Sequence, residues 1–87
     1  MTHTVLIVDD AAFMRLSIKD ILEKNGFEVA AEAGDGREAV EKYRALLPDA
    51  IIMDVVMPGM DGLEALREIK REFPAARAVV CSAMGSR

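Results

Sequence analysis

The 87-residue chain has few of the features that would cross-link it, anchor it in a membrane or bind it to nucleic acid. Its single cysteine excludes an internal disulfide and any zinc site built from several cysteines. Acidic residues outnumber basic ones by 15 to 11, and the net charge of −4 argues against non-specific nucleic-acid binding. No apolar run approaches the roughly 20 residues of a membrane span, and no secretory signal precedes the first strand. We therefore expect a cytoplasmic protein.

Hydrophobic residues, by contrast, make up 52% of the chain, which is too many for a disordered segment. Three short runs are continuously apolar, as in strands buried on both faces, and a fourth alternates like a strand nearer an edge. Between them lie segments whose apolar residues recur at helical spacing. Strands alternating with helices predict one α/β domain over residues 1–87, with a parallel sheet covered on both sides. The predicted strands lie near 4–9, 28–33, 50–53 and 78–82, and the predicted helices near 12–25, 36–47 and 62–72.

Polar residues follow these strands at the points where the strands end. Asp9 and Asp10 follow the first strand, Asp54 the third and Ser82 the fourth. Right-handed crossovers bring the carboxyl ends of the strands to one edge of the sheet, where α/β proteins bind ligands. Three carboxylates there would repel one another unless a hard cation such as Mg²⁺ joined them. The competing interpretation is that Asp10 only caps the first helix and Asp54 only ends a strand.

Three sequence blocks combine these residues in a fixed order: Val5-Leu6-Ile7-Val8-Asp9-Asp10; Ile52-Met53-Asp54 with Met57-Pro58 and Asp61-Gly62; and Cys81-Ser82-Ala83-Met84-Gly85. In order and spacing they resemble the receiver domains of bacterial two-component response regulators. The segment Asp10-Ala11-Ala12-Phe13-Met14-Arg15 and the block Ser82-Ala83-Met84-Gly85 look most like single-domain chemotaxis regulators. The resemblance covers essentially the whole chain and implies a flavodoxin-like, doubly wound parallel sheet. We expect an incomplete version with four strands in the order 2-1-3-4 and three helices.

The resemblance also implies a role for each residue at the acidic edge. Asp54 would accept a phosphoryl group from a histidine kinase and become an acyl phosphate. Asp9, Asp10 and Asp54 would hold Mg²⁺ together with the backbone carbonyl of Val56. The Ser82 hydroxyl would bond a phosphoryl oxygen. These residue types suit the chemistry, because phosphoryl transfer needs a nucleophile and groups that stabilise negative charge in the transition state.

The chain departs from a complete receiver after its fourth strand. The family's fourth helix, fifth strand and fifth helix are missing, together with a lysine that pairs with the phosphoryl group. None of the lysines at positions 19, 24, 42 and 70 is expected to replace it, since all are predicted on exposed helix positions. Strand four would then be an edge, and the sheet face beside the first helix would be uncovered. We expect self-association as a dimer, through strand four or through that face.

Two functions stay open on this reasoning. The first is a phospho-accepting signalling module, and the second is a non-phosphorylated receiver fragment that acts as a folded, self-assembling unit. A phosphatase-type enzyme is disfavoured, because such enzymes carry a second Asp two residues after the nucleophile, where this chain has Val56. Cys81 is expected to be a buried strand thiol without a redox role, and His3 to be solvated. We therefore expect that the protein is not an enzyme and that it binds neither nucleic acid nor a membrane.

Overall fold

The computed structural model describes residues 3–54 and 62–81 of the chain. Strands and helices alternate through this part as the hydrophobic pattern predicts. Every predicted boundary agrees with the observed one to within one residue. The elements are β1 His3–Val8, α1 Ala12–Lys24, β2 Phe27–Ala33, α2 Gly36–Leu46, β3 Ala50–Asp54, α3 Gly62–Glu72 and β4 Ala78–Cys81.

The four described strands form one parallel sheet in the order β2-β1-β3-β4, which confirms the predicted topology. β1 is central, and its side chains from Val5 to Val8 are buried on both faces. β2 lies at one edge, as its alternating sequence indicates, and β4 lies at the other edge of these strands. The register aligns Ile7 of β1 with Ile52 of β3, and Ile52 with Val79 of β4.

One face of the sheet carries the hydrophobic core beneath α2 and α3. The sheet contributes large apolar side chains that lose almost all contact with solvent, and the two helices contribute smaller residues, a tyrosine and an isoleucine. The rings of Tyr43 and Phe73 lie 5.2 Å apart between their centroids and close one side of this core. The buried residues of this face include Leu6, Val8, Ile51, Met53, Ala39, Val40, Tyr43, Ala65 and Ile69.

The opposite face is covered only in part by α1, which packs on β1 and β2. No residue of α1 is buried, although its apolar spacing predicts a stripe facing the sheet. Phe13, Leu16 and Ile21 are 70%, 66% and 60% exposed. Phe13 and Ile21 therefore lie on the outer side of α1, which no described element covers. Val79 of β4 is 58% exposed on the same face of the sheet, which confirms the expected uncovered surface.

The helix ends follow from local sequence. Asp35 caps α2, since its carboxylate accepts a hydrogen bond of 2.8 Å from the amide of Glu38. After α1 the chain turns through Gly26 at a φ of +87°, a conformation that glycine adopts at little cost. His3 is exposed, as expected, with Nδ1 3.8 Å from a carboxylate oxygen of Asp49. The Cys81 thiol lies outside the described residues. Within those residues, no helix has the length and apolar character needed to span a bilayer.

Candidate functional site

Asp9 is the first residue beyond β1, at the carboxyl edge of the sheet. It is a charged residue that is only 5% exposed. Its amide donates to the carbonyl of Ala33 in β2 at 3.0 Å, and its Oδ1 accepts from the amide of Ala11 at 2.8 Å. Burying a carboxylate costs free energy unless donors or a cation compensate for the lost water. The fold therefore holds this carboxylate at the strand end against a desolvation cost, which is typical of a functional position.

Asp10 is exposed beside it, in the turn between β1 and α1. The N-cap of α1 is Ala11, in extended conformation, and α1 has no side-chain cap hydrogen bond at this end. The interpretation of Asp10 as a helix cap is therefore wrong. Its carboxylate is not needed to start the helix and stands at the carboxyl edge of the sheet next to the buried carboxylate of Asp9.

Asp54 ends β3, the strand that pairs with β1. The register pairs Val8 with Met53, so Asp9 and Asp54 each follow the last paired residue of neighbouring strands. Sequence reasoning thus identified two positions that the topology brings to the same edge. The side chain of Asp54, together with all of Val56 and Ser82, lies outside the part of the chain that the structure describes. The cluster of three carboxylates facing Ser82 stays a prediction.

The donor atoms that are described fit a hard divalent cation. Asp9 and Asp10 offer two adjacent carboxylates at a strand end, and Mg²⁺ typically takes one or two carboxylates and completes its octahedron with water and phosphate oxygens. Over residues 3–54 and 62–81, no group of three or more His, Cys, Asp or Glu side chains is placed to hold a metal ion. The third carboxylate required by the prediction is the undescribed one of Asp54.

A charged network that the sequence analysis missed surrounds the end of β1. The Nη1 of Arg15, one turn into α1, donates to the backbone carbonyl of Asp9. The Nε of the same guanidinium donates to Glu32 Oε1 at 3.1 Å. The backbone carbonyl of Glu32 in turn accepts from Lys42 of α2. Only the pairing of Ile7 with Glu32 across β1 and β2 brings these groups together, and residue spacing along the chain gives no sign of it.

Glu38 closes this network on the side of α2. Its Oε1 accepts from the amide of Gly34 at 2.7 Å, and its Oε2 lies 3.1 Å from the ammonium group of Lys42. The hydrogen bond from Gly34 lowers the pKa of Glu38, with Lys42 acting in the same direction. Lys42 is half-buried by these contacts, so its prediction as a freely exposed lysine is wrong.

Comparison with known proteins gives consistent matches to one family. The profile of the response regulator receiver domain matches residues 5–87. The chemotaxis protein CheY of Bacillus subtilis is 62% identical over 85 residues, which cover 98% of this chain and 71% of the relative. CheY of Thermotoga maritima is 59% identical over 85 residues, with the same coverage of 98% and 71%.

A solved structure gives the same result at the level of the fold. The CheX–CheY–BeF₃–Mg²⁺ complex from Borrelia burgdorferi contains a chain that superposes with a TM-score of 0.92 at 37% identity. The match covers 98% of this chain and 65% of that one. The chain thus spans 71% of the length of the two CheY relatives and just under two thirds of the solved chain.

Proposed function

Because the chain belongs to the response regulator receiver family, we propose that it is a phosphorelay signalling module of the chemotaxis type. In this proposal Asp54 accepts a phosphoryl group from a histidine kinase, with Mg²⁺ as the cofactor. The observation that carries the proposal is the buried Asp9 at the end of β1, beside the strand that ends in Asp54. A buried carboxylate next to a second strand-end carboxylate is an arrangement suited to a cation.

Four groups would hold the metal: the carboxylates of Asp9, Asp10 and Asp54, and the backbone carbonyl of Val56. When bound, Mg²⁺ supplies positive charge against the oxygens of the transferring phosphoryl group. The Borrelia complex, which contains Mg²⁺ and BeF₃, supports this assignment by similarity. The Asp9 carboxylate needs little reorganisation to take part, because the amide of Ala11 already orients it.

The chemistry proposed for this chain's own residues is a direct displacement. A carboxylate oxygen of Asp54 forms a bond to phosphorus while the phosphorus–nitrogen bond of the donor phosphohistidine breaks. The electron pair of that bond goes to the imidazole, and an acyl phosphate forms on Asp54. The Ser82 hydroxyl donates a hydrogen bond to a phosphoryl oxygen, where charge accumulates in the transition state.

Intact-mass measurement tests the acceptor directly. The 87-residue chain is incubated with acetyl phosphate and Mg²⁺, and we expect a mass increase of one phosphoryl group. The Asp54→Asn variant removes the nucleophile and should show no increase. An unmodified parent chain would contradict the proposal, as would a modified Asp54→Asn variant.

Calorimetric titration tests the metal assignment separately. Asp10→Ala should weaken Mg²⁺ binding markedly, because it removes a proposed ligand without disturbing the cap of α1. Asp20→Ala is the matched control, since Asp20 is an exposed carboxylate of α1 whose Oδ2 lies 3.0 Å from the ammonium group of Lys24. Equal affinities in the two variants would refute a site at the end of β1.

A second candidate function is a folded unit that self-associates without being phosphorylated. The observation that favours it is the uncovered face, which we define as Phe13, Leu16 and Ile21 of α1 with Val79 of β4. Burying apolar surface contributes about 25 cal/mol per Å², so two copies would gain by covering this face or by pairing their β4 edges. A dimer that forms without any phosphorylation of Asp54 would favour this candidate over the first.

The remaining parts of the proposal follow from the composition and the relatives. A cytoplasmic location and the absence of a nucleic-acid partner fit the single cysteine and the acidic charge. The CheY relatives are named as chemotaxis proteins, which supports a signalling role and not an enzymatic one. We propose residues 1–87 as one receiver unit.

A further inference from the structure

Arg15 holds the residue that lies at the centre of the proposed metal site. Three of the hydrogen bonds that fix Asp9 involve described partners: its amide donates to Ala33, its Oδ1 accepts from Ala11, and its carbonyl accepts from the guanidinium of Arg15. The first two restrain the strand end and the side chain. The third joins the carbonyl to α1, so it sets how the chain leaves β1 toward Asp10.

The guanidinium is itself held in place. Its Nε donates to Glu32 Oε1 at 3.1 Å, and the Arg15 side chain is only 20% exposed. The ammonium group of Lys42 donates to the backbone carbonyl of Glu32 and so restrains the backbone at that residue. A planar guanidinium with two fixed partners loses little further freedom and defines direction better than a flexible ammonium group would.

We propose that Arg15 is a positioning residue for the acidic pair: Glu32 fixes its guanidinium, and the guanidinium fixes the Asp9 backbone in the geometry that receives a divalent cation. The inference rests on the proposed function, because it assigns Arg15 a task toward the Mg²⁺ site proposed above. Groups that orient metal ligands without touching the metal are a general feature of protein metal sites.

The sign of one effect separates this role from simple electrostatics. Arg15 carries a positive charge close to a cation site, so its removal should tighten Mg²⁺ binding if charge alone mattered. If Arg15 positions Asp9, its removal should weaken Mg²⁺ binding in spite of the lost repulsion. The two accounts predict opposite changes in the dissociation constant for the same variant.

The experiment combines amide hydrogen exchange without metal and a Mg²⁺ titration, both followed by NMR on the full 87-residue chain. In Arg15→Met we expect faster exchange at the Ala11 amide, which the Asp9 carboxylate protects, and a Mg²⁺ affinity reduced about 10-fold. Arg67→Met is the matched control, because Arg67 is an exposed residue of α3 and its substitution changes the net charge equally. The control should leave both quantities at their parent values.

Two conservative variants keep the proposal testable if Arg15→Met does not fold. Arg15→Lys keeps the positive charge but loses the planar guanidinium that donates to two partners. Its Mg²⁺ affinity should therefore lie between that of Arg15→Met and that of the parent. Glu32→Gln keeps the size of the anchor but loses its charge, so it should weaken Mg²⁺ binding in the same direction as Arg15→Met and by less. Parent-like affinity and parent-like exchange in both of these variants would overturn the proposal.

The outcomes also separate this inference from the proposed function. Tighter Mg²⁺ binding by Arg15→Met, with unchanged Ala11 exchange, overturns the positioning role while the metal site itself stands. A parent chain that shows no response to Mg²⁺ overturns the metal site, and with it the task assigned to Arg15. The proposal is supported if Arg15→Met binds Mg²⁺ more weakly and its Ala11 amide exchanges faster, while Arg67→Met changes neither quantity.

Discussion

The two faces of the sheet both carry helices but are closed to very different degrees. Under α2 and α3, side chains such as Leu6, Ile51 and Ile69 are removed from solvent almost completely. On the other face, α1 contains no buried residue, and two of its apolar side chains, Phe13 and Leu16, are about two thirds exposed or more. The same sheet therefore has one closed face and one open face.

The difference shows that amphipathic spacing specifies which side of a helix is apolar but not whether anything covers it. α2 and α3 contact each other as well as the sheet, so their stripes face a closed core. α1 contacts mainly β1 and β2, and the guanidinium of Arg15 links it to Asp9 and Glu32. Apolar burial thus closes the face under α2 and α3, while on the open face Ile7 is buried, Arg15 adds polar contacts to Asp9 and Glu32, and the outer side of α1 is exposed.

The largest effect expected from this comparison is the loss of a core side chain on the closed face. Ile69→Ala should reduce the free energy of unfolding by about 3 kcal/mol, because it leaves a cavity at a residue that is 1% exposed. Ile21→Ala removes the same atoms from an open-face residue that is 60% exposed, and should cost far less. Urea denaturation of both variants measures the difference. Equal losses would mean that the open face is closed in solution.

Much of this fold can be predicted from sequence because its signals are local. The apolar run from Val5 to Val8 and the helical spacing that follows it specify a strand and a helix without reference to the rest of the chain. The order 2-1-3-4 follows once the family is identified. The exposure of Phe13 and Ile21 cannot be predicted in this way, since it depends on which elements lie against α1 in space.

The candidate site also contains some residues that can be predicted from the sequence and others that cannot. Asp9, Asp10 and Asp54 can be identified because each directly follows an apolar strand, and the carboxyl ends of parallel strands share an edge. Arg15 and Glu32 could not be identified, because their contact depends on how β1 and β2 are aligned. The β1–β2 register also shifts between Val5 and Leu6, an irregularity that no local pattern in the sequence signals.

A smaller effect is expected at the start of the helices, where the two faces also differ. Asp35→Ala should destabilise the protein by about 1 kcal/mol, because it removes the hydrogen bond from the carboxylate cap to the Glu38 amide of α2. α1 has Ala11 at the same position with no side-chain bond, so Ala11→Ser should stabilise the protein, by up to about 1 kcal/mol. Thermal unfolding of the two variants should show opposite shifts. Two shifts of the same sign would contradict the assignment of the caps.

A still smaller effect should appear as a dependence on pH. The pKa of Glu38 is lowered in the folded protein, first by the hydrogen bond from Gly34 and then by Lys42. A lowered folded-state pKa gives stability that is complete above the ordinary value near 4.5 and is lost as the pH falls through the folded-state pKa. Because the Glu38 side chain is 42% exposed, solvent screening limits the effect to about a few tenths of a kcal/mol.

The Glu38→Gln variant isolates that contribution. It removes the titrating group, so its loss of stability relative to the parent should be present near neutral pH and shrink below about pH 4. Urea midpoints for the two proteins, measured from about pH 7 to about pH 3, test this. Arg37→Gln, at an exposed position of the same helix, controls for a general change in helix charge. A difference that grows in acid would have the wrong sign for a lowered pKa.

A comparably small effect on stability, and the most informative one for function, is expected on the open face. Changing Phe13 and Ile21 together to serine should alter the free energy of unfolding of the monomer by only about 0.5 kcal/mol, because both side chains are already in solvent. If the uncovered face holds two copies together, the same double variant should abolish the dimer. Sedimentation velocity over a range of micromolar concentrations measures association independently of folding.

The matched control is a double variant on the closed side, Leu46→Ser with Leu63→Ser, since both residues are 50% exposed and belong to α2 and α3. It removes a similar amount of exposed apolar surface, so it should leave association unchanged if the open face is the interface. Loss of the dimer in both double variants would indicate non-specific hydrophobic association, because the two surfaces lie on opposite faces of the sheet. Loss in neither would leave the β4 edge as the contact, since backbone pairing there needs no side chain of α1. If the parent chain is monomeric at every concentration, an exposed stripe on α1 is compatible with a stable monomer. That result would rule out self-association through the open face.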